Sequence, residues 1–540
     1  MGLKPLKLAV IADAGHVQRF GLAAIDAIEG CDDISVFSCS NTRTRKRPFR
    51  HGAYYALNLI SVRNAWTRSA PVAQSKKRIA ETIDFESEYD GAWQVLPADI
   101  LSRLREGGFD AVLKLGMGLL RVPPPEILPV PILSYHHGDP DHYRGRPAGF
   151  WEIAAGEKVL GQIVQIIGNR LDAGRVVAFA QTRVLPFSYK KTLMESYRHS
   201  PLIINDAIRT AVCGGALAKP CKGRNYRLPG NWTVARFVLA MGLRKARRLA
   251  YGALFEKRWS VSTAPTPERP AAALEAGELI PAPESWSTLA PAPGYTFYAD
   301  PFFSREPEGI LVEALRGTTG RGEILLIAGT EHRRLSPPGG HFSYPYTLEM
   351  DGRQVVLPET ASWAPPTAYR IVQGRLEPLC ELRLEPPARV SDPSLIERGG
   401  LLYLFGNDPT LGSSVLMLWC APSLTEPFRL HPQAPILVSP RGARMGGGLL
   451  DSGGRLIRFG QDLSGSYGDG LIAFEVETLT PTDYRERRIG EVRFSGRHGP
   501  HTLSVEGGRL LFDWYREAFS PFAGLRRLSA RLDARRRRIG

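Results

Sequence analysis

Two rhythms of apolar residues alternate through the first 210 positions. KLAVIAD at 7–13, ISVFSCS at 34–40, FDAVLKLG at 109–116 and VPILSYH at 130–136 are short and almost continuously apolar. That is the pattern of strands buried on both faces. Between them apolar positions recur at helical spacing, from Gln18 to Ile28 and again in DILSRLREGG, where Ile100, Leu101 and Leu104 share a side. Strands alternating with helices predict a Rossmann-like, doubly wound parallel α/β sheet over residues 1–212, with ligands bound beyond the carboxyl ends of its strands.

The pattern then changes twice. Residues 213–254 form a connector: CGGALAKPCKGRNYRLPG is turn-rich, and WTVARFVLAMGLRKARRLAYGALF is a basic amphipathic helix. Such a helix either packs between domains with its Arg face in water or lies on an anionic membrane surface. From residue 255 helical periodicity fades and Pro and Gly punctuate the chain. ADPFFSREPEGILVEAL, YPYTLEMDGRQVVLPET, SDPSLIERGGLLYLFGN, GGGLLDSGGRLIRFGQD and PHTLSVEGGRLLFDWY each read as strand, Gly-containing turn and strand, starting roughly 45 to 55 residues apart. This period suits blades of four strands, so an all-β five-bladed propeller is expected over 255–523, followed by a basic tail at 524–540.

Composition narrows the class. A hydrophobic content of 43% with 23% charged residues belongs to an ordered globular protein. The six cysteines are scattered without a CxxC pair, which fits a reducing cytoplasm and gives no zinc signature. LKLAVIADAG lacks the features of a signal peptide, and no apolar run approaches the roughly 20 residues that span a bilayer. The net charge of +15 is mostly dispersed Arg, clustered only at RTRKR (43–47), RKARR (244–248) and the ARRRRIG tail. Without a groove or an aromatic stacking pattern, this charge argues against a nucleic-acid partner.

The candidate chemistry is densest in LSYHHGDPDHYRGRPAGFWEI, residues 133–153. His136, His137, Asp139, Asp141 and His142 look like metal donors. Strand alternation separates them, however: Ser134 and His136 point one way, Tyr135 and His137 the other. No HxH or HExxH pattern adds ligands, and no metal is expected. Two readings stay open on the residues alone: histidines satisfied in a turn, or His136 working with a distant acid.

The order of residues here resembles that of 10-formyltetrahydrofolate-dependent formyltransferases. A strand brings a histidine, Arg144-Gly145 follow it by eight and nine residues, and GEKVLGQIVQIIGNRLDAGRVV matches the family's next section. The resemblance, over about residues 5 to 210, implies a catalytic pair of His136 and Asp172. Ser134 stands where the family has Asn, and GDPDHY replaces its usual loop. The resemblance further implies that 10-formyltetrahydrofolate is met by Leu115, Gly116, Met117, Gly118, Asp139, Arg144 and Gly145. In such chemistry an amine attacks the formyl carbon, and donors already in place meet the charge growing on oxygen. His136 is suited to donate or to relay the amine proton. Asn would be a second donor, and Ser134 has a hydroxyl of shorter reach.

The C-terminal half resembles the five-bladed propellers related to glycoside hydrolase family 43, especially those beside glucosamine inositolphosphorylceramide transferases. FYADPF, SYPYTLEMDGRQVVLPET, RVSDPSL, ARMGGG with FGQD, and GPHTL carry that resemblance. It implies that Asp300, Glu359, Asp392, Arg444, Asp462 and His501 converge at the channel as a sugar site. The resulting expectation is a cytoplasmic formyltransferase acting on an amino sugar or glycan precursor, with possible peripheral membrane contact through the basic helix. The alternatives are a glycan-binding protein without catalysis, a glycoside hydrolase or glycosyltransferase centred on the propeller, and a methionyl-tRNA formyltransferase-like enzyme. The last is disfavoured because the repeats do not match that family's small basic barrel.

Overall fold

The computed structural model describes residues 5–41, 49–219, 221–360 and 365–528. RTRKR at 43–47 and all but the first residues of the basic tail lie outside them. The chain divides into two compact units, Met1–Ala246 and Arg247–Gly540.

The first unit is built on β1 (Leu8–Asp13), β2 (Asp33–Cys39), β3 (Arg78–Phe85), β4 (Ala111–Lys114), β5 (Ile132–His136), β6 (Tyr143–Gly145), β7 (Val159–Ile166), β8 (Arg175–Arg183) and β9 (Arg224–Tyr226). Its helices are α1 (Arg19–Asp26), α2 (Gly52–Ile60), α3 (Ala98–Glu106), α4 (Phe150–Ala155), α5 (Tyr189–His199), α6 (Ile204–Val212) and the first part of α7 (Asn231–Leu254), which runs past Ala246. The main sheet runs β8-β7-β5-β4-β1-β2-β3. From β5 to β3 the neighbours are parallel, as expected, but β7 and β8 are antiparallel. Their connection is a turn at residues 167–174, too short for the helical crossover that parallel strands require. β1 is buried almost throughout, so both sheet faces are covered. On one of them α3 sets Ile100 and Leu104 against Ala9, Ile11, Phe37, Val112 and Ile132.

Strand order reverses at β1, with β2 on one side and β4 on the other. This is the switch point at which open α/β sheets leave a crevice. Asp13, Lys114 and His136 end the strands that meet there. The stretch read as a connector from residue 213 belongs to this unit as far as Ala246. β9 pairs with β6 in parallel, and Cys221 N–H donates to Asp141.

Among the described residues the second unit holds five sheets in chain order. Its first strand, β10 (Phe255–Pro265), pairs along its whole length with its last, β16 (Arg509–Phe519), so one sheet is made from both ends of the unit. The leading strands of the others are β11 (Tyr295–Arg305), β12 (Phe342–Met350), β13 (Ser391–Arg398) and β14 (Arg441–Met445); β15 (Leu503–Glu506) lies beside β16. Two of the sheets have six and five strands rather than four. β11 packs on β12, β12 on β13 and β13 on β14, while β15 packs on β11. A backbone bridge links Gly447, just after β14, to Leu503.

One local device recurs. The register slips in β11, β12, β13 and β14, and each slip contains a residue in the left-handed region: Asp300 at φ 47, Tyr344 at φ 46, Asp392 at φ 49 and Gly442 at φ 97. These are β-bulges, which bend a strand and re-aim a side chain. The first three are followed by proline, which has no N–H to give the ladder.

Candidate functional site

At the carboxyl end of β5 the side chains alternate as the pattern requires. Tyr135 and His137 enter an aromatic cluster with Phe20 and Tyr197, the His137 ring lying 4.4 Å from that of Tyr197. His137 Nε2 is 2.9 Å from Ser200 Oγ. Burial, and then the nearby His136, push its pKa down to about 3, so it stays neutral.

His136 faces the crevice side, buried, with both ring nitrogens engaged. Nδ1 is 3.5 Å from Asp172 Oδ1, an ion-pair distance, and Nε2 is 3.1 Å from the Tyr143 carbonyl. Asp172 sits in the β7–β8 turn at φ 45, where Oδ2 accepts the Gly145 N–H at 2.9 Å. A carboxylate held on one oxygen by a backbone amide presents the other to the imidazole in a fixed direction. The GDPDHY loop brings the Tyr143 carbonyl onto His136, and it passes close by: a Cβ on Gly138 would lie 2.7 Å from His136 Nε2. A small cavity here is lined by His136, Arg146, Trp151, Glu152 and Tyr226, among others. Burial pushes Glu152 up to about 8, so at neutral pH it keeps its proton.

Ser134 is half-buried, in register with Lys114 on β4. Paired residues of parallel strands project to the same face, so Lys114 belongs to the face of Ser134 and His136. Sequence reasoning missed it, because a lysine closing a buried run looks like a strand end turning to solvent. Its ammonium donates to the Met117 carbonyl at 3.4 Å. Burial lowers its pKa to about 8, with Asp13 and Asp172 opposing.

The residues expected to meet folate divide. Leu115 and Gly116 N–H both donate to the Ile11 carbonyl, Met117 N–H to Asp13 and Gly118 N–H to Gln94. All four amides are therefore spoken for, and the loop offers carbonyls and side chains instead. Asp139 accepts from Lys219 at 3.1 Å, and Arg144 donates to the Gly223 carbonyl at 2.6 Å. These two side chains tie the 138–145 segment to residues 219–226. Gly145 touches the pair through its N–H on Asp172.

In the second unit five of the six expected residues come together. Arg444 grips Asp392 through two nitrogens, at 2.5 and 3.0 Å, and lies 3.9 Å from Glu359. Glu359 also accepts the Asp392 N–H at 3.0 Å. Asp300 accepts from Thr502 at 2.6 Å and stands 3.5 Å from His501 Nε2. Asp462 is the exception. Gln461 points inward, donating to Asp392 and to the Met445 carbonyl, so its neighbour Asp462 points the other way and pairs with Arg493.

Four participants were not anticipated. Asp513 Oδ2 lies 2.5 Å from His501 Nδ1, and its other oxygen accepts the N–H groups of His501 and Thr502. Glu313 adjoins Asp300; burial first, then Asp300, pushes it well above the carboxylate range. Tyr467 sets its ring 5.2 Å from that of His501, and Trp259 stacks on His501 at 4.1 Å. Alternation from Gln461 was available in the sequence; the long-range partners had no local signal. Asp300, His501 and Asp513 carry donor atoms within 4.8 Å of one another, a grouping that could hold a cation; Thr502 donates to one Asp300 oxygen, and His501 Nδ1 lies 2.5 Å from Asp513.

Desolvation sets the electrostatics here. Burial, then Asp392, push Glu359 up to about 8. Asp300 is raised by burial against the pull of His501. For His501 burial opposes the charge, but Asp513 and Asp300 outweigh it and raise the pKa. Asp300, Asp392, His501 and Asp513 are nearly sealed from water, whereas Tyr467 is 41% exposed. Arg444 and Glu359 are partly open too, so the cluster meets solvent along that edge. Buried acids, one with its pKa raised to about 8, beside a fixed cation and an open ring can bind a polyhydroxyl ligand or perform acid–base work.

A family model described as "Glucosamine inositolphosphorylceramide transferase 1, N-terminal" matches residues 338–499. Glu359, Asp392 and Arg444 fall inside that stretch; Asp300, His501 and Asp513 fall outside it. Glucosamine inositolphosphorylceramide transferase 1 of Oryza sativa subsp. japonica is 33% identical over 153 residues, 27% of this chain and 20% of the rice protein. The chain thus spans about a fifth of the length of the curated relatives it matches. Solved structures similar to the N-terminal part are formyltransferases. Phosphoribosylglycinamide formyltransferase from Anaplasma phagocytophilum is 16% identical with a TM-score of 0.26, over 39% of this chain and 89% of that one. The N-formyltransferase from Helicobacter canadensis, in complex with folinic acid and dTDP-3-aminofucose, is 10% identical with a TM-score of 0.24, over 39% of this chain and 66% of that one.

Proposed function

We propose that the chain is a transferase whose N-terminal unit moves a formyl group from 10-formyltetrahydrofolate to the amino group of an amino sugar or glycan precursor. Its C-terminal unit, on this reading, is a five-bladed propeller that recognises carbohydrate. The observation that carries the first half is the His136–Asp172 contact of 3.5 Å at the switch point of the sheet. In the step, the amine nitrogen bonds to the formyl carbon, the bond from that carbon to N10 of the folate breaks, and the proton lost by the amine passes by way of His136 to N10, releasing tetrahydrofolate. Asp172 orients the ring and offsets its charge in the transition state. Lys114, on the face of Ser134, supplies positive charge where the formyl oxygen becomes negative, in the place left by the shorter Ser134. His136 Nε2 reaches substrate when the Tyr143 carbonyl gives way, so the 138–143 loop is part of the binding step.

The propeller half rests on the succession of five sheets, on the pairing of β10 with β16 and on the order in which the leading strands pack. The converging acids also favour a second reading, glycoside hydrolysis or glycosyl transfer, because Glu359 as an acid and Asp300 or Asp392 as its counterpart are the groups that chemistry uses.

The test mixes full-length protein with 10-formyltetrahydrofolate and a panel of free and nucleotide-linked amino sugars, and follows release of tetrahydrofolate. His136→Ala and Asp172→Asn should each lower transfer by roughly 100-fold or more. Transfer to no amine refutes the reading, and undiminished transfer by both variants moves the site elsewhere. Sugar release that Asp300→Asn abolishes would favour the second reading.

A further inference from the structure

Helix α7 has two apolar faces, and the protein covers one of them. Val234 and Phe237 are buried in the core with Tyr54 and Leu57 of α2. Further along the same side, Met241 Sδ accepts the Tyr189 N–H at 3.4 Å and Arg244 donates to the Ile153 carbonyl at 3.1 Å. On the opposite side stand Trp232, Leu239 and Leu243, all exposed, Trp232 by 74% and Leu239 by 66%. At about 100° per residue these three fall within about 20° of one line. Arg236 and Arg247 form a row along its flank. A surface helix normally presents polar residues there, and one that is apolar on two sides has something to cover it.

The patch continues onto α2. Asn231 accepts the Ala53 N–H at 2.9 Å and donates to the Phe49 carbonyl at 3.1 Å, and His51 Nδ1 lies 2.9 Å from the Pro229 carbonyl. These bonds tie the start of α7 to the start of α2, where Phe49 is 92% exposed; Leu59 and Ile60 end α2 in solvent.

Charge identifies the partner. No Asp or Glu occurs between Asp33 and Glu81, or between Asp206 and Glu256. These two stretches hold 20 of the 69 Lys and Arg and none of the 54 acids, leaving 49 basic against 54 acidic residues elsewhere. The protein's whole positive excess therefore lies in two segments, one carrying α2 and the other α7, whose starts are joined by the bonds above; Arg43, Arg45, Lys46 and Arg47 of the first segment lie outside the described residues. An apolar stripe with Trp at one end and a cationic border matches the headgroup region of a bilayer, where Trp settles at the interface and Arg reaches anionic phosphate. Among the described residues no helix is long and apolar enough to cross a membrane. We infer that the outer face of α7, with the exposed residues of α2, seats this protein on the anionic surface of a lipid bilayer.

The experiment is co-sedimentation of the full chain with vesicles of phosphatidylcholine alone and of phosphatidylcholine with about 30% phosphatidylserine. Wild type should partition at least tenfold more strongly onto the anionic vesicles, and high salt should release it. The triple variant Trp232→Ser, Leu239→Ser, Leu243→Ser should lose binding by tenfold or more. Arg236→Ser with Arg247→Ser should weaken it on anionic vesicles alone. Circular dichroism checks the fold, and Leu239→Ser alone serves if the triple variant misfolds. Wild type remaining in the supernatant, or variants binding as well as wild type, overturns the inference. Sedimentation velocity separates the remaining occupant: a dimer that the triple variant dissolves, with no vesicle binding, makes the face a contact between two copies and also overturns it.

Discussion

Replacing Lys114 with Met should make the N-terminal unit more stable and, under the proposed function, less active. Lys114 closes β4 in a buried setting, and burial lowers its pKa from 10.5 to about 8 against the opposing pull of Asp13 and Asp172. Each pKa unit corresponds to about 1.4 kcal/mol, so a depression of about 2.5 units makes the charged lysine cost the folded state roughly 3 kcal/mol. The sign follows from proton binding. Between pH 8 and 10.5 the unfolded chain holds this proton more tightly than the folded one. The cost is therefore fully present below pH 8 and fades as pH rises towards 10.5. Lys114→Met, which keeps the aliphatic stem, should gain about 3 kcal/mol at pH 7, and the gain should shrink to near zero by pH 10.5. Urea unfolding of the full chain at several pH values, with an unchanged m value for this transition, measures it. Formyl transfer by the same variant should fall roughly 100-fold. A variant no more stable than wild type at pH 7, or a gain that does not change with pH, would refute the account of Lys114 as a desolvated cation retained for chemistry.

Other substitutions separate structural roles from chemical ones. His137→Ala should cost about 2 kcal/mol through loss of aromatic packing, yet leave the pH profile of transfer unchanged, because this imidazole stays neutral. Asp392→Asn should destabilise the second unit by roughly 3 kcal/mol, since Arg444 loses its bidentate partner, while Asp462→Asn should leave glycan binding measured by calorimetry unaltered. Glu359 has a pKa raised to about 8, so the folded state favours its protonated form; the stability this contributes is complete below about pH 4.5 and lost as pH rises through 8. Thermal melts of the full chain between pH 5 and 9 should show that decline in the second unit, and Glu359→Gln should flatten it.

Much of this arrangement was legible in the sequence because periodicity is a local property. The near-continuous apolar runs placed β1, β2, β4 and β5, and a period of two turned His137 away from His136. The same rule, applied to FGQD with Gln461 inward, turns Asp462 outward, where the propeller resemblance alone placed it with the converging residues. The antiparallel turn of β7 and β8 was missed because a buried run looks alike in either direction. Lys114 escaped because polarity patterns read a terminal lysine as solvent-facing, and whether its neighbours bury it depends on strands far away in sequence. Asp513 and Glu313 are of the same kind: each becomes part of a site only when sheets distant along the chain pack together.

The bulges at Asp300 and Asp392 have a consequence for how the centre of the second unit can change. A backbone held at φ near +50° accepts aspartate, asparagine or glycine at little cost, whereas a branched side chain there is strained. At Asp300 charge can therefore vary by a single substitution while shape is held, whereas at Asp392 the same change also takes from Arg444 its bidentate partner. Asp300→Asn removes an ionisable carboxyl and keeps the strand's bend, so one scaffold can pass between a reactive and a purely receptive centre without refolding.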